Sequence, residues 1–325
     1  MPTLVSIRRD MVFNKDLKQL LSMLGAVAAQ NYYKLEYTKK KRFKEFMEAF
    51  SSLFEVLNLS KVSHAMLYSK SESKALIVIT SNFGFMGGLN RSIVTKAIED
   101  VDAKYFVVGE KGVELFKTMG KPCDVIEGQE PVSKTVVKDG KDLKEEILEI
   151  DYNFAVSLAE KAIDLIRSGE ASKVYVMYAK PESFGKRDVK CVQVLPCCEA
   201  MPMDMIKVRN AAVGRELIVD SDYNEMVEYM VKMWTISKIM EILEDSKMAE
   251  FSARGISLSG AEKNLEENGE KLRKLYHDTR KEMIDKQNRE IFSAVKVSRN
   301  KKAKKLKAKK LKDYKKVLQK MNNPL

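Results

Sequence analysis

Helix breakers are nearly missing from the first third of this 325-residue chain: after Pro2 the next proline is Pro122, and Gly25 is the only glycine before Gly84. Histidine is as scarce, with only His64 and His277 far apart. The four cysteines, Cys123, Cys191, Cys197 and Cys198, do not form the repeated C-x-x-C spacing of a zinc site. Too few ligands remain for a metal centre, so none is expected, and idle thiols fit a reducing compartment. No apolar run approaches the ~20 residues that span a bilayer. Arg8 and Arg9 are followed by Asp10 and Asp16 with no secretory apolar core, as in a mature cytoplasmic protein. No H-E-x-x-H occurs, no Ser, His and Asp stand in recognisable context, and no cysteine has a plausible base nearby. The sequence therefore offers no case for intrinsic enzymatic activity, and no cofactor is expected.

Net charge is +12, but it is not spread evenly. Residues Arg299 to Lys320 hold 12 Lys or Arg and one acid, Asp313, a local +11 that leaves the rest of the chain near +1. Any argument for a polyanionic partner rests on this tail alone.

What the proline-poor ends contain is helical periodicity. Leu17, Leu20, Leu21, Leu24, Val27 and Ala28, continued by Phe43, Phe46, Phe50, Leu53 and Leu57, alternate by threes and fours. They predict one N-terminal helix of roughly 45 to 50 residues, about 70 Å long. A second long helix covers Ala249 to Val297, with Leu258, Ala261, Leu265, Leu272 and Leu275 at heptad steps and Asn268 in the missing seam position. Gly255, Gly260 and Gly269 weaken it by about 1 kcal/mol each relative to alanine, so its register must come from a partner. So thin a stripe needs one partner helix, and the N-terminal helix matches. The pair is expected to be an antiparallel coiled coil with a domain inserted between its halves.

From Lys74 the period changes. Ala75 to Thr80 predicts a strand, followed by the turn SNFGFMGGLN and a helix from Arg91 to Val101. Further strands are expected at Tyr105–Val108, Cys123–Ile126, Lys173–Tyr178 and Val189–Leu195, with helices at Val113–Met119 and Leu143–Ser168. Glu127 to Asp142 reads as loop and Pro196 to Asp220 as an irregular return segment. Helix resumes near Asp222 with Met226, Met230, Met233, Ile236, Met240 and Leu243, adaptable packing rather than a cofactor box. The expected fold class is α/β, a Rossmann-like insert in the coiled coil. The expected divisions are 1–57 for the first helix, 58–220 for the insert, 221–298 for the second helix and 299–325 for the basic tail.

The glycine-rich turn invites a nucleotide-binding reading, because such turns let backbone N–H groups approach phosphates. Its spacing fails that test. Gly84, Gly87 and Gly88 do not make G-x-G-x-x-G, and no G-K-[ST] follows. A tight strand-to-helix turn is the better account.

Three separated stretches resemble the γ subunits of F-type ATP synthases. Ser81-Asn82-Phe83-Gly84-Phe85-Met86-Gly87-Gly88-Leu89-Asn90 is similar to the family's S-D-R-G-L-C-G-G-L-N. Ile7-Arg8 leads without gaps to Val27-Ala28-Ala29, similar to I-R … M-V-A-A-S-K. Glu250 to Arg254 resembles E-x-x-A-R-M, and an ungapped run then sets Asn264, Tyr276, Arg280 and Ile284 on matching family positions. The resemblance spans about residues 7 to 297. It implies a non-catalytic central-stalk rotor that transmits torque between a membrane ring of c subunits and a hexamer of ATPase alpha and beta subunits. An epsilon-type subunit would sit at its base, the location being peripheral on the cytoplasmic side of the membrane. By the same resemblance Arg254, Arg280, Lys281 and Asp285 are candidate rotor–stator contacts, and Ser81, Gly84, Gly87, Gly88, Leu89 and Asn90 form the base-of-stalk turn.

Departures from the family pattern are specific. Lys281 stands where the family has Gln and Asp285 where it has Thr, and this pair, four apart, is placed to form an ion pair. Asp16-Leu17 replaces Asn-Thr, Phe83 replaces Arg and Gly255 replaces Met. The tail has no family counterpart and would reach about 40 Å if helical. It reads as a frayed extension, or as an arm for an acidic protein, an anionic membrane or nucleic acid. Alternative readings of the whole chain are a γ-like shaft put to another mechanical task and a basic-tailed coiled-coil protein that binds nucleic acid.

Overall fold

The computed structural model describes residues 3–56, 66–68, 71–100, 102–126, 136–138, 141–143, 151–200 and 223–321, without the side chains of 40–56 and a few others. Leu57, residues 201–220 of the return segment and the side chains of Phe43, Phe46, Phe50 and Leu53 lie outside that description. Helix α1 is Leu4–Val56 and the last helix, α6, is Tyr223–Met321. Between them come β1 (Lys74–Ile79), α2 (Leu89–Asp100), β2 (Lys104–Val108), α3 (Glu110–Thr118) and β3 (Asp124–Ile126). They are followed by β4 (Val136–Lys138), β5 (Lys141–Leu143), α4 (Tyr152–Arg167), β6 (Lys173–Pro181), β7 (Arg187–Leu195) and α5 (Cys197–Ala200). The chain divides into two compact units, Met1–Leu20 with Glu262–Leu325, and Leu21–Ala261.

The second unit is built on a five-stranded sheet of order β3-β2-β1-β6-β7, parallel except for β7, which runs antiparallel to β6. Strand β1 is buried from Ala75 to Ile79, as expected of a central parallel strand covered on both faces. Its period of two separates two cores. Ala75, Ile77 and Ile79 pack with α4 and with Val227, Trp234, Ile239 and Ile242 of α6. Leu76 and Val78 pack with Ile93 and Val94 of α2, Phe116 of α3 and Ala249 and Ala253 of α6. The methionine-rich start of α6 is core packing: Met230 is buried and Met226 and Met240 rest against the same cluster.

Two expectations need correcting. The stretch from Glu127 to Asp142 is not all loop, because β4 and β5 pair as an antiparallel ribbon. Asp139-Gly140 between them is a hairpin dipeptide that carried the missed signal. The helix expected from Leu143 starts instead at Tyr152, since Leu143 ends β5 and Asp151 caps the helix by accepting from the Asn153 N–H at 2.9 Å.

Helix α1 meets α6 in this unit through Leu21, Gly25, Ala28, Tyr32 and Leu35, a three-four repeat that is buried or half-buried. A Cβ added at Gly25 would stand 3.9 Å from that of Leu258. Tyr32 and Leu35 pack with Met248 and Phe251, and Lys39 pairs with Asp245 at 2.5 Å, so residue numbers rise on one helix as they fall on the other. The pair is antiparallel. Asp245 is 3% exposed, and its second carboxylate oxygen is buried without a hydrogen-bond partner among the described residues. Burial, reinforced by the carboxylates of Asp245 and Glu241, drives the Tyr178 phenol far above its ordinary value.

The loop between β6 and β7 is held on α6 by Phe184. Ser252 Oγ donates to the Phe184 carbonyl at 2.6 Å, and the ring lies edge-on to Tyr32 and stacked on Tyr33 at centroid distances of 5.3 and 6.0 Å. Gly255 makes room for it, since a Cβ there would come within 2.6 Å of the ring tip.

In the first unit α1 and α6 form a two-helix pair. Ile7 and Asn14 are buried, Leu4, Met11 and Lys18 half-buried, and across from them Leu265, Gly269, Leu272, Tyr276 and Thr279 are half-buried. The expected seam through Asn268 and Leu275 is displaced by one residue. Asn268 lies to the side and Leu275 is 42% exposed. A straight helix drifts about 20° per heptad against a 3.5-residue repeat, which carries the inward face from 268 to 269 and from 275 to 276. Asn14 holds the register, donating to the Leu265 carbonyl at 2.9 Å and accepting from Asn268 Nδ2 at 3.4 Å. Lys18 pairs with Glu266 at 2.9 Å.

Three stability outcomes follow from this packing, each measured by denaturant unfolding. Gly255→Ala should lose about 1 kcal/mol, because overpacking against the wedged Phe184 ring outweighs the helix-propensity gain. Gly260→Ala, with nothing within 4 Å of the added Cβ, should gain up to about 1 kcal/mol. Lys39→Met should cost about 3 kcal/mol by stranding a buried carboxylate, and Asp245→Leu in the same chain should restore most of it. A double variant no more stable than Lys39→Met would refute that account.

Candidate functional site

The turn after β1 closes on itself. The Asn90 side chain brackets Ser81, its Nδ2 donating to Ser81 Oγ at 2.8 Å and its Oδ1 accepting from the Ser81 N–H at 3.2 Å. Asn82 Oδ1 accepts from the Glu110 N–H, and the Ser81 carbonyl from the Lys111 N–H, which ties the turn to α3. Met86 and Leu89 are buried anchors that face the core shared with α2 and α6. Gly87 and Gly88 hold φ of 54° and 84°, which only glycine adopts without strain, and Phe85 holds 63°. Gly84 has neither a positive φ nor a neighbour within 4 Å.

In doubly wound sheets a ligand sits beyond the carboxyl ends of the strands, where the winding reverses. That point lies between β1 and β6, and the turn stands beside it with α6 against it. The Arg254 guanidinium lies 6.0 Å over the Phe83 ring and 5.9 Å over that of Phe251. A Cβ at Gly87 would stand 3.8 Å from that of Ser257. The N–H groups of Ser81, Leu89, Ser92, Glu110 and Lys111 are all engaged by the protein's own oxygens. These five N–H groups are therefore not free to meet a phosphate.

The structure brings Arg254 together with the turn: both belong to one patch, from which Phe83 and Phe85 emerge 48% and 76% exposed. Arg280, Lys281 and Asp285 lie elsewhere, on an exposed part of α6 in the other unit. Lys281 and Asp285 do not form the ion pair their spacing allowed, among the pairs found between described residues. Asp285 instead accepts through its carbonyl from Arg289 Nε at 3.3 Å.

Sequence reasoning set Ile284 on a family position but did not single out the exposed apolar positions beyond it. From Lys281 to Leu311 every residue of α6 is exposed, including Ile284 at 44%, Ile291 at 61%, Phe292 at 76% and Val295 at 44%. Ile284, Ile291 and Val295 share one face, at successive steps of seven and four residues. Among the described residues no three His, Cys, Asp or Glu side chains gather as a metal site. No described helix is long and apolar enough to cross a membrane.

One unit is a two-helix pair and the other a doubly wound domain with a helix packed against its glycine-rich turn, an architecture of long packed helices without a gathered set of catalytic groups among the described residues. A sequence-family model described as ATP synthase matches residues 3–297. The ATP synthase gamma chain of Clostridium acetobutylicum is 26% identical over 297 residues, covering 89% of this chain and 95% of that one. That of Clostridium beijerinckii is 27% identical over 227 residues, covering 68% and 71%. Among solved structures, the rotor of the Euglena gracilis mitochondrial ATP synthase superposes with TM-score 0.55 at 15% identity, covering 86% of this chain and 98% of that one. A chain of its OSCP/F1/c-ring assembly gives 0.60 at 14%, covering 90% and 94%. The chain belongs to the ATP synthase gamma family and is a non-catalytic central-stalk subunit.

The glycines of the turn should not be equivalent. Gly88→Ala should cost about 1–2 kcal/mol through its left-handed backbone, whereas Gly84→Ala should change stability by no more than about 0.5 kcal/mol. Thermal unfolding of the two variants compares them directly.

Proposed function

We propose that this chain is the rotor shaft of an F-type ATPase, turning within a hexamer of alpha and beta subunits and seated on a membrane ring of c subunits beside an epsilon-type subunit. The location is peripheral, on the cytoplasmic side of the membrane. The observation that carries the reading is the single, fully exposed helix beyond the reach of α1. Most helix stability in proteins comes from packing an apolar face, and the aliphatic face at Ile284, Ile291 and Val295 needs a surrounding partner. Torque then arises because catalytic subunits in different nucleotide states pack differently on the same shaft.

In this proposal Arg280, Lys281 and Asp285 meet the catalytic ring from α6. Arg254 is the fourth contact to the ring, and the Ser81–Asn90 turn beside it belongs to the base of the stalk. Arg280 offers a planar, permanently charged donor set suited to carbonyls and carboxylates of a moving loop. Lys281 and Asp285, unpaired with each other, are both available to the ring, a different polar set from the family's Gln and Thr.

Co-expression with the alpha and beta subunits tests this. Arg280→Ala should leave the complex assembled and slow ATP hydrolysis about 3- to 10-fold, the loss of roughly 1 kcal/mol at the rate-limiting step. Purification of the chain as a folded protein without ATPase subunits, or hydrolysis unchanged by its omission, would refute the proposal.

A further inference from the structure

The family match ends at residue 297, but α6 does not: it runs without a break to Met321. What changes there is charge. From Lys281 to Val297 four basic side chains stand among three acidic ones; from Arg299 to Leu311 eight are basic and none is acidic. All eight are exposed. At about 100° per residue, Lys301, Lys302, Lys304, Lys307 and Lys310 already point in five directions, and the eight together leave no gap wider than about 60° around the helix. Leu306 and Leu311, each 62% exposed, are five residues apart and so about 140° apart around the axis. They do not form an apolar face.

This distribution separates the possible partners. A membrane surface engages one side of a helix and needs an apolar face on that side, which is missing here. A nucleic-acid strand lying alongside would leave half of the charge unmatched. Its usual supports, guanidinium forks and aromatic stacking, are nearly absent: seven of the eight cations are Lys and no aromatic residue occurs from Arg299 to Leu311. Lysine is a flexible point charge that pairs with carboxylates without a fixed geometry.

We propose that residues Arg299 to Leu311 of α6 form a lysine collar that seats in a carboxylate-lined protein surface enclosing the helix. Exposed ion pairs are individually weak and exchangeable, so an all-round positive rod keeps its attraction at every angle about its own axis. That the enclosing surface is coaxial with a turning shaft rests on the rotor reading above; the carboxylate chemistry does not.

The test uses the purified complex with the full-length chain. A zero-length carboxyl-to-amine cross-linker is applied at about 50 mM and about 500 mM salt, and links are mapped by mass spectrometry. The collar predicts links to Asp or Glu of a partner protein from lysines on opposite sides of the helix, Lys301 and Lys310 among them, with yields about 10-fold lower at high salt. In parallel, the full chain and a chain lacking residues 298–325 are titrated with single-stranded and duplex DNA of about 30 nucleotides. The same chains are titrated with vesicles containing about 30% anionic lipid.

No links, or links from one side only, overturn the proposal. So does tail-dependent binding of DNA or vesicles at least about 10-fold above the truncated chain when no carboxylate links form. A variant with all eight cations changed to Gln keeps helix propensity and should weaken low-salt association about 10-fold with unchanged circular dichroism. Unchanged association would also overturn the proposal. Links to an acidic protein without ATPase subunits would uphold the collar and reject the rotor; ATPase subunits without links would do the reverse.

Discussion

One stretch of helix, from Asp245 to Leu258 of α6, serves three surfaces at once, and the sheet-containing unit depends on it. Phe251 and Met248 meet α1, Ala249 and Ala253 meet the sheet and α2, and Arg254 and Ser257 meet the turn after β1. A helix can touch neighbours on every side only if its side chains are short where backbones come close. Ala249, Ser252, Ala253, Gly255 and Ser257 meet that requirement. The segment is therefore almost wholly buried while carrying few large apolar groups.

Its electrostatics set a second condition. Lys39 and Asp245 pair inside the joint, where the same helix also carries the i,i+3 pairs Lys238–Glu241 and Lys247–Glu250. Such a pair adds little net stability but penalises any register that separates it. In the other unit Asn14 acts similarly, since a polar seam residue fixes the alignment of two helices that thin apolar stripes leave free to slide. Polar groups thus specify the register, and apolar area supplies the attraction.

The candidate patch shows how a nucleotide-binding architecture can lose its ligand. A doubly wound sheet, a glycine-rich turn and a helix entered from it are all present, but the N–H groups of Ser81 and Leu89 at the two ends of the turn bond internally and α6 stands against it. Failure of the G-x-G-x-x-G spacing pointed this way; the occupant of the crevice, 160 residues further along the chain, did not announce itself in any local pattern. Asp139-Gly140 shows the opposite case, a local signal strong enough to reveal a ribbon in a stretch that polarity alone made look like loop.

Long helices at both ends, alternating strands and helices between them, and a basic charge run near the C-terminus were legible in the residues themselves. Helical and strand periods, proline absence and charge runs act over a few neighbours, and nothing distant opposes them here. The gamma resemblance was legible too, because short motifs keep their order and spacing. Only the tertiary structure decided which heptad face turned inward, since drift of a straight helix moved the seam by one residue, from Asn268 to Gly269. Only it showed that Arg254 faces Phe83 and that Lys281 and Asp285 stay apart. Those outcomes depend on where a backbone from a remote part of the chain comes to lie, and that position is fixed by packing rather than by local sequence.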